Sequence, residues 1–224
     1  QPMPAALPPA APPPPPYTPG RALLFGFGAG VPLLAALLLG EPRVALTWTG
    51  DGSTATGAVH EGLRTALSTR APLVVVIQDN QVALGTDRTC SFPGDFAQLG
   101  GAYGMPVHRV DGNNVLDMYA ATRLAVDHAR RGDGPVMIVA RTFRMGGHAT
   151  HDEREARDLF PAEVFAYWGQ RDPVGNFEAW LQAHRGVEAS TLAALEARIE
   201  AEIDEAARDA LAKRATHEPL PETV

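Results

Sequence analysis

From Arg43 onward the chain alternates short apolar runs with amphipathic segments, and this alternation restricts the possible folds more than any other feature. The runs are VALTW (44–48), LVVVI (73–77), VHRV (107–110) and VMIVA (136–140). Each has strand length and is mostly apolar on both faces. Strands of this kind separated by helices predict an α/β fold, a parallel sheet with helices on both faces, followed by C-terminal helices. The helix after Asn114 shows its period in Val115, Met118, Thr122, Val126 and Ala129, with Asn114 placed to cap the first turn. Farther on, Leu192, Leu195, Ile199, Ile203, Ala206 and Ala210 mark a long helix whose other face is rich in Glu, Asp and Arg. Its apolar stripe needs a partner, either the body of this chain or another subunit.

The front of the chain is different in kind. Ten of the 20 prolines fall within the first 19 residues, a composition that favours solvated polyproline II. Residues 1–20 therefore read as a linker or arm, with a ligand for an aromatic groove as the sharper alternative. Residues 22–39 form an uncharged run of 18 interrupted by three glycines and Pro32. That is the shortest length at which a membrane span need be considered, but the interruptions and the soluble sequence that follows favour a buried turn and a short core helix from Val31. The division expected is 1–20 arm, 21–185 α/β domain and 186–224 C-terminal helix and tail. A start at Gln1 fits a processed protein or the later part of a longer one.

Composition removes some classes of function. Nineteen Lys and Arg against 26 Asp and Glu give a net charge of -7, so no electrostatic pull toward nucleic acid is expected. No membrane partner is expected either. The one cysteine, Cys90, can close no internal disulfide and fits a reducing compartment, the cytoplasm or a mitochondrial matrix.

The chemistry concentrates where strands end. The first strand runs into GDGSTATG (50–57) and the second into QDNQVALGT (78–86). Both loops thus lie at the carboxyl edge of a parallel sheet, where open α/β folds bind ligands. Asp51 offers an anionic oxygen, Asn80 a neutral one, and the glycines flanking Asp51 let a phosphate approach the backbone of Gly52 and Ser53. Two protein oxygens and a backbone carbonyl, completed by diphosphate oxygens and water, suit Mg²⁺. Alone, G-D-G is equally a strand-end turn in which Asp51 caps the next helix. Asn80 follows 29 residues after Asp51, with one helix and one strand between, and that spacing brings the two to adjacent strand ends.

GDG followed after this interval by Asn is similar to the signature of thiamine diphosphate enzymes. The surrounding sequence, from GDGSTATGAVHEGLRTALSTRAPLVVVIQDNQVALGT through AYGMPVHRVDGNNVLDMYAATRLAVDHARRGDGPVMIVARTFRMGGHATHDE to WGQRDPVGNFEAWL, resembles the alpha subunit of the decarboxylating component of 2-oxo acid dehydrogenases. The resemblance covers residues 28–185 and implies the thiamine diphosphate-binding fold. It implies Asp51 and Asn80 as Mg²⁺ ligands through their side chains, Val82 through its carbonyl, and Gly52 and Ser53 at the diphosphate. His148, in RMGGHATHD, matches a family histidine beside the terminal phosphate and is the expected catalytic residue, an imidazole able to donate to phosphate and shuttle protons. The implied activity is oxidative decarboxylation of a small 2-oxo acid with acyl transfer to lipoyl, the cofactor acting as electron sink. The implied partners are a beta subunit, in a heterotetramer of two alpha and two beta chains whose beta chain supplies the activating glutamate, and a lipoyl acyltransferase.

Several positions depart from the usual family text: Asp79 stands for Asn, Thr56 for Glu or Gln, and Val82 for Tyr. The family also carries a longer stretch before this point, with a Tyr-Arg pair on the diphosphate and a further histidine segment. An acetoin dehydrogenase alpha subunit, a transketolase-like enzyme and a truncated non-catalytic scaffold therefore stay open as alternatives. His151, three residues after His148, could suggest a transition metal, but it lacks a third ligand nearby. His60 reads as a packed or interface histidine and Arg144 as either a loop anchor or an exposed charge. Asp152, Glu153 and Arg154 read as solvated loop surface.

Overall fold

A computed structural model describes residues 43–92, 94–149 and 151–214. The arm expected at 1–20 and the apolar run at 22–39 lie outside the described residues. Strand β1 (Ala45–Gly50) leads through a 3-10 turn (Gly52–Ala55) into α1 (Gly57–Ser68) and β2 (Leu73–Asp79). Two-residue strands β3 (Val82–Ala83) and β4 (Thr86–Asp87) form a small antiparallel hairpin before α2 (Arg88–Ser91) and α3 (Phe96–Ala102). Then come β5 (Val107–Asp111), α4 (Val115–Arg130) and β6 (Val136–Arg141). The main sheet is parallel throughout, in the order β1-β2-β6-β5. The four expected strands are all present.

Alternating residues of the central strands divide the core in two, because successive side chains of a strand point to opposite faces. One face carries Leu73, Val75, Ile77, Met137 and Val139 against Leu63 and Ala66 of α1 and Phe96 of α3. The other carries Val74, Val76, Val136 and Ile138 against α4. Helix α4 buries Ala121, Ala125 and Ala129, with Met118 and Val126 beside them, so its inward stripe is displaced by about one position from the one marked by the larger side chains. Alanines bring the helix axis close to the sheet, and the branched strand residues fill the space that remains. Asn114 caps α4, accepting from the amides of Leu116 at 3.0 Å and Asp117 at 3.3 Å.

After β6 the chain is pinned by aromatic packing. Phe143 is buried, stacks on Trp168 with ring centroids 5.8 Å apart and meets Phe160 and Phe165 edge-on. Helices α5 (Glu153–Asp158), α6 (Ala162–Gly169) and α7 (Pro173–Arg185) follow, and Arg171 ion-pairs with Asp111 at the end of β5. The long helix α8 (Ala189–Arg214) exposes Leu195, Ile199, Ile203 and Leu211, so its apolar stripe finds no cover among the described residues. No helix among the described residues is long and apolar enough to cross a membrane.

Gly100 of α3 shows how tightly the first layer is closed. A Cβ there would lie 2.5 Å from Val107 Cγ2 and 3.1 Å from Met137 Sδ. Gly100→Ala is expected to destabilise the fold by about 1–3 kcal/mol, the usual penalty for overpacking, measured as a fall in the urea midpoint with an unchanged slope.

Candidate functional site

The register of β1 on β2 pairs Gly50 with Gln78, and the Asp51 amide donates to the Gln78 carbonyl at 3.3 Å. The strand ends thereby set Asp51 beside Asp79, one residue before Asn80. Asp51 is buried, with 2% of its surface exposed. Its Oδ1 accepts from the Gly52 amide at 2.8 Å, and its Oδ2 finds no hydrogen-bond partner among the described residues. A buried carboxylate oxygen without a donor is costly unless something positive fills the gap. Burial raises the Asp51 carboxyl above its ordinary value, opposed by the Gly52 amide, by the charges of Arg88 and Arg144 and by the Gln81 amide.

The turn chemistry accounts for this geometry. Asp51 is the N-cap of the 3-10 turn, so the capping role and a ligand role are both served, one by each oxygen. Thr54, fully buried, donates its hydroxyl to the Asp51 carbonyl at 2.5 Å and ties the turn to the strand end. A Cβ on Gly52 would fall 2.6 Å from Cβ of Ala83. Only a glycine lets the first loop lie this close to the β3-β4 hairpin of the second.

In the second loop Asn80 is half-buried, and its Oδ1 accepts from the Val82 amide at 3.1 Å. Val82 is buried in β3, opposite Asp87. Gln81 between them has φ +72° and sends its side-chain amide to the Asp79 carbonyl at 2.9 Å. Gly52 gives its amide to Asp51, while Ser53, half-buried, accepts at its carbonyl from the Thr56 amide and hydroxyl. The expected site residues at 51–53 and 80–82 thus belong to two loops in direct contact.

His148 lies on the exposed loop after β6 and reaches this cluster through Arg144. The Arg144 amide donates to the Asn80 carbonyl at 3.2 Å and its Nη2 to the Leu84 carbonyl at 2.6 Å. Its Nη1 lies 3.4 Å from His148 Nδ1. A guanidinium only donates, so a hydrogen bond in this contact has Nδ1 as its acceptor. Of the two readings of Arg144, the structure realises the loop anchor. Asp152 departs from the solvated surface expected of it: its carboxylate accepts from the amides of His148 at 3.0 Å and Ala149 at 2.7 Å. Those bonds, the Ala149 amide first, hold its carboxyl below the ordinary range. His60 is half-buried, with Nδ1 3.0 Å from the Tyr103 hydroxyl.

One participant leaves no mark in the sequence pattern. Arg88, at the start of α2, places Nε 2.8 Å from Asp79 Oδ1. Asp79 is buried, and its carboxyl is raised by desolvation and by neighbouring Asp51 against the pull of Arg88. A charged residue just past a short hairpin looks like loop surface. Its one signal is indirect: Asp79 is a strand-end charge in need of compensation.

The family model described as "Dehydrogenase E1 component" matches residues 25–219. A pyruvate dehydrogenase E1 component subunit alpha from Acholeplasma laidlawii is 42% identical over 59% of this chain and 38% of its own length. A 3-methyl-2-oxobutanoate dehydrogenase subunit alpha from Mycobacterium tuberculosis is 38% identical over 73% of this chain and 43% of its own length. A pyruvate dehydrogenase E1 component subunit alpha from Staphylococcus aureus is 35% identical over 64% and 39%. The chain therefore spans about two fifths of the length of these relatives.

The unpartnered oxygen makes a prediction about stability. Asp51→Asn removes a buried charge while keeping an oxygen for the Gly52 amide, so the ligand-free protein should melt higher than the parent at pH 7, by about 2–4 °C per kcal/mol relieved in a chain of this size. Because the folded-state value is raised, the charged form opposes folding above it. The gap between parent and variant should narrow as pH falls through that value and vanish near the ordinary 3.8. Melting curves across this pH range check both statements.

Proposed function

Because the chain belongs to the dehydrogenase E1 component family, whose model matches residues 25–219, we propose that it forms the cofactor-binding part of the alpha subunit of a thiamine diphosphate-dependent 2-oxo acid dehydrogenase. The observation that carries this reading is Asp51 Oδ2, buried at the carboxyl edge of β1 and without a hydrogen-bond partner among the described residues. An oxygen in that state suits a cation, and Mg²⁺ accepts such hard ligands together with phosphate oxygens. The Asn80 side chain and the Val82 carbonyl lie on the loop packed against Gly52 and complete the protein's share of the ligand set. Gly52 and Ser53 open the 3-10 turn that would face the diphosphate.

When bound, the cofactor supplies the electron sink for decarboxylation. This chain's residues have more modest tasks. Asp51 and Asn80 would hold the cation, and Gly52 keeps the two loops in contact. Arg144 lies against Nδ1 of His148, which leaves Nε2 available to meet a phosphate or to move a proton beside the reacting carbon. Asp152 binds the amides of His148 and Ala149 and so shapes the loop that carries the imidazole.

The finer parts of the proposal follow from the relatives. Their names as alpha subunits support a beta-type partner in a heterotetramer, with a lipoyl acyltransferase accepting the acyl group. The stripe of α8, uncovered among the described residues, is surface on which such assembly would draw. The chain with Mg²⁺ and thiamine diphosphate should show no decarboxylation of pyruvate or branched 2-oxo acids until a beta-type subunit is added. In that assembly Asp51→Ala should abolish Mg²⁺-dependent cofactor uptake. His148→Ala should keep uptake and lose about 10²–10⁴ in turnover. Cofactor uptake by Asp51→Ala equal to that of the parent would overturn the site, and decarboxylation at enzymatic rates by the chain alone would overturn the subunit assignment.

A further inference from the structure

Two carboxylates stand side by side at the ends of β1 and β2, both buried, with exposures of 2% for Asp51 and 7% for Asp79. They are treated differently. Asp51 leaves Oδ2 without a partner among the described residues, whereas Asp79 is engaged by Arg88 at 2.8 Å. Arg88 is held independently of that contact. Its amide donates to the Gln81 carbonyl at 3.1 Å, its Nη2 donates to the Gly94 carbonyl at 3.0 Å, and its guanidinium carbon sits 4.9 Å from the Phe96 ring centroid. The Arg88 side chain is mostly buried, and its hold on Asp79 is charge at short range rather than an aligned hydrogen bond.

Two adjacent free carboxylates would chelate a bare divalent cation and repel a diphosphate brought in with it. One free carboxylate beside a neutralised one does the reverse: it leaves a single anionic ligand for the cation and keeps its remaining coordination positions for phosphate oxygens. We propose that Arg88 is a positioning residue, a built-in counter-ion that withholds Asp79 from the cation so that the site favours a cation arriving with a diphosphate over a bare one. The inference rests on the cation site proposed above and adds to it a residue and a selectivity.

The test uses the full chain and Mn²⁺ as a spectroscopic substitute for Mg²⁺, with free Mn²⁺ counted by electron paramagnetic resonance. Each protein is titrated with Mn²⁺ alone and with Mn²⁺ plus thiamine diphosphate. Arg88→Met should tighten bare Mn²⁺ roughly tenfold and weaken uptake with the diphosphate by a similar factor, the order expected for one unit charge near a half-screened site. Asp79→Asn leaves Arg88 uncompensated and should weaken bare Mn²⁺. The double variant, neutral at both positions, should return both affinities to within about threefold of the parent, since the two changes act on one pair. Arg88→Lys, which keeps the charge, should stay close to the parent.

Opposite shifts in the two titrations are the signature, because damage to packing alone would weaken both. If Arg88→Met weakens both or moves neither, the counter-ion role is wrong while the cation site stands. If the parent binds Mn²⁺ in neither titration, the cation site and this role fall together. Should Arg88→Met fail to fold by circular dichroism, Asp79→Asn against the double variant decides the question: the inference requires weakening in the first and recovery in the second.

Discussion

A buried carboxylate oxygen without a hydrogen-bond partner among the described residues is the constraint around which the described domain is arranged. Asp51 cannot move away from this position. Its backbone continues a strand paired residue by residue with β2, its Oδ1 closes the 3-10 turn on the Gly52 amide, and its carbonyl receives the Thr54 hydroxyl. The parallel sheet sets the carboxyl group at the ligand-binding edge, and the turn decides which oxygen stays free. Such an arrangement opposes folding in the absence of a ligand, and buried groups with raised carboxyl values gather where proteins bind and react.

The second loop is built to fit the first. Gly52 and Ala83 approach so closely that no side chain fits between them, and that contact fixes where the chain from Asn80 to Leu84 can run. Arg144 then stitches the third loop to the second through the carbonyls of Asn80 and Leu84. Three strand ends, those of β1, β2 and β6, therefore deliver their loops into one cluster. The charges follow the same plan: two acids on the first two strand ends face two arginines, one at the start of α2 and one on the loop after β6, and the balance is local rather than borrowed from solvent.

Much of this is legible in the residues, and what is not has a physical reason. The four strands announce themselves because an apolar run of that length, apolar on both faces, can be buried only inside a layered sheet. The loops at 50–57 and 78–86 are visible because they follow such runs directly. The inward face of α4 is harder, since it is made of alanines whose small apolar surface carries little signal beside Met118 and Val126. The strands Val82–Ala83 and Thr86–Asp87 are too short to leave a pattern at all. Arg88 and Asp152 are hidden for a common cause. Each binds across a turn, Arg88 to Asp79 and Asp152 to the amides of His148 and Ala149, and turn geometry depends on dihedral angles such as that of Gln81, which no spacing rule supplies. Arg144 is ambiguous in sequence because anchoring and solvent exposure demand the same residue type.

The site also divides its labour between stiff and exposed parts. Asp51 and Asp79 sit on strand ends whose positions are set by the sheet. His148 sits on an exposed loop, the kind of segment that has more freedom to move than strand ends do. Its orientation still derives from the stiff part, because Arg144 is bonded to the carbonyls of the second loop before it meets the imidazole. The Asp152 bonds to the His148 and Ala149 amides hold the backbone of that loop, and among the described residues the ring itself is met only at Nδ1. The buried carboxylates are thus held by the sheet while the exposed imidazole is tethered at one nitrogen, and a single element could not supply both a fixed group and a movable one.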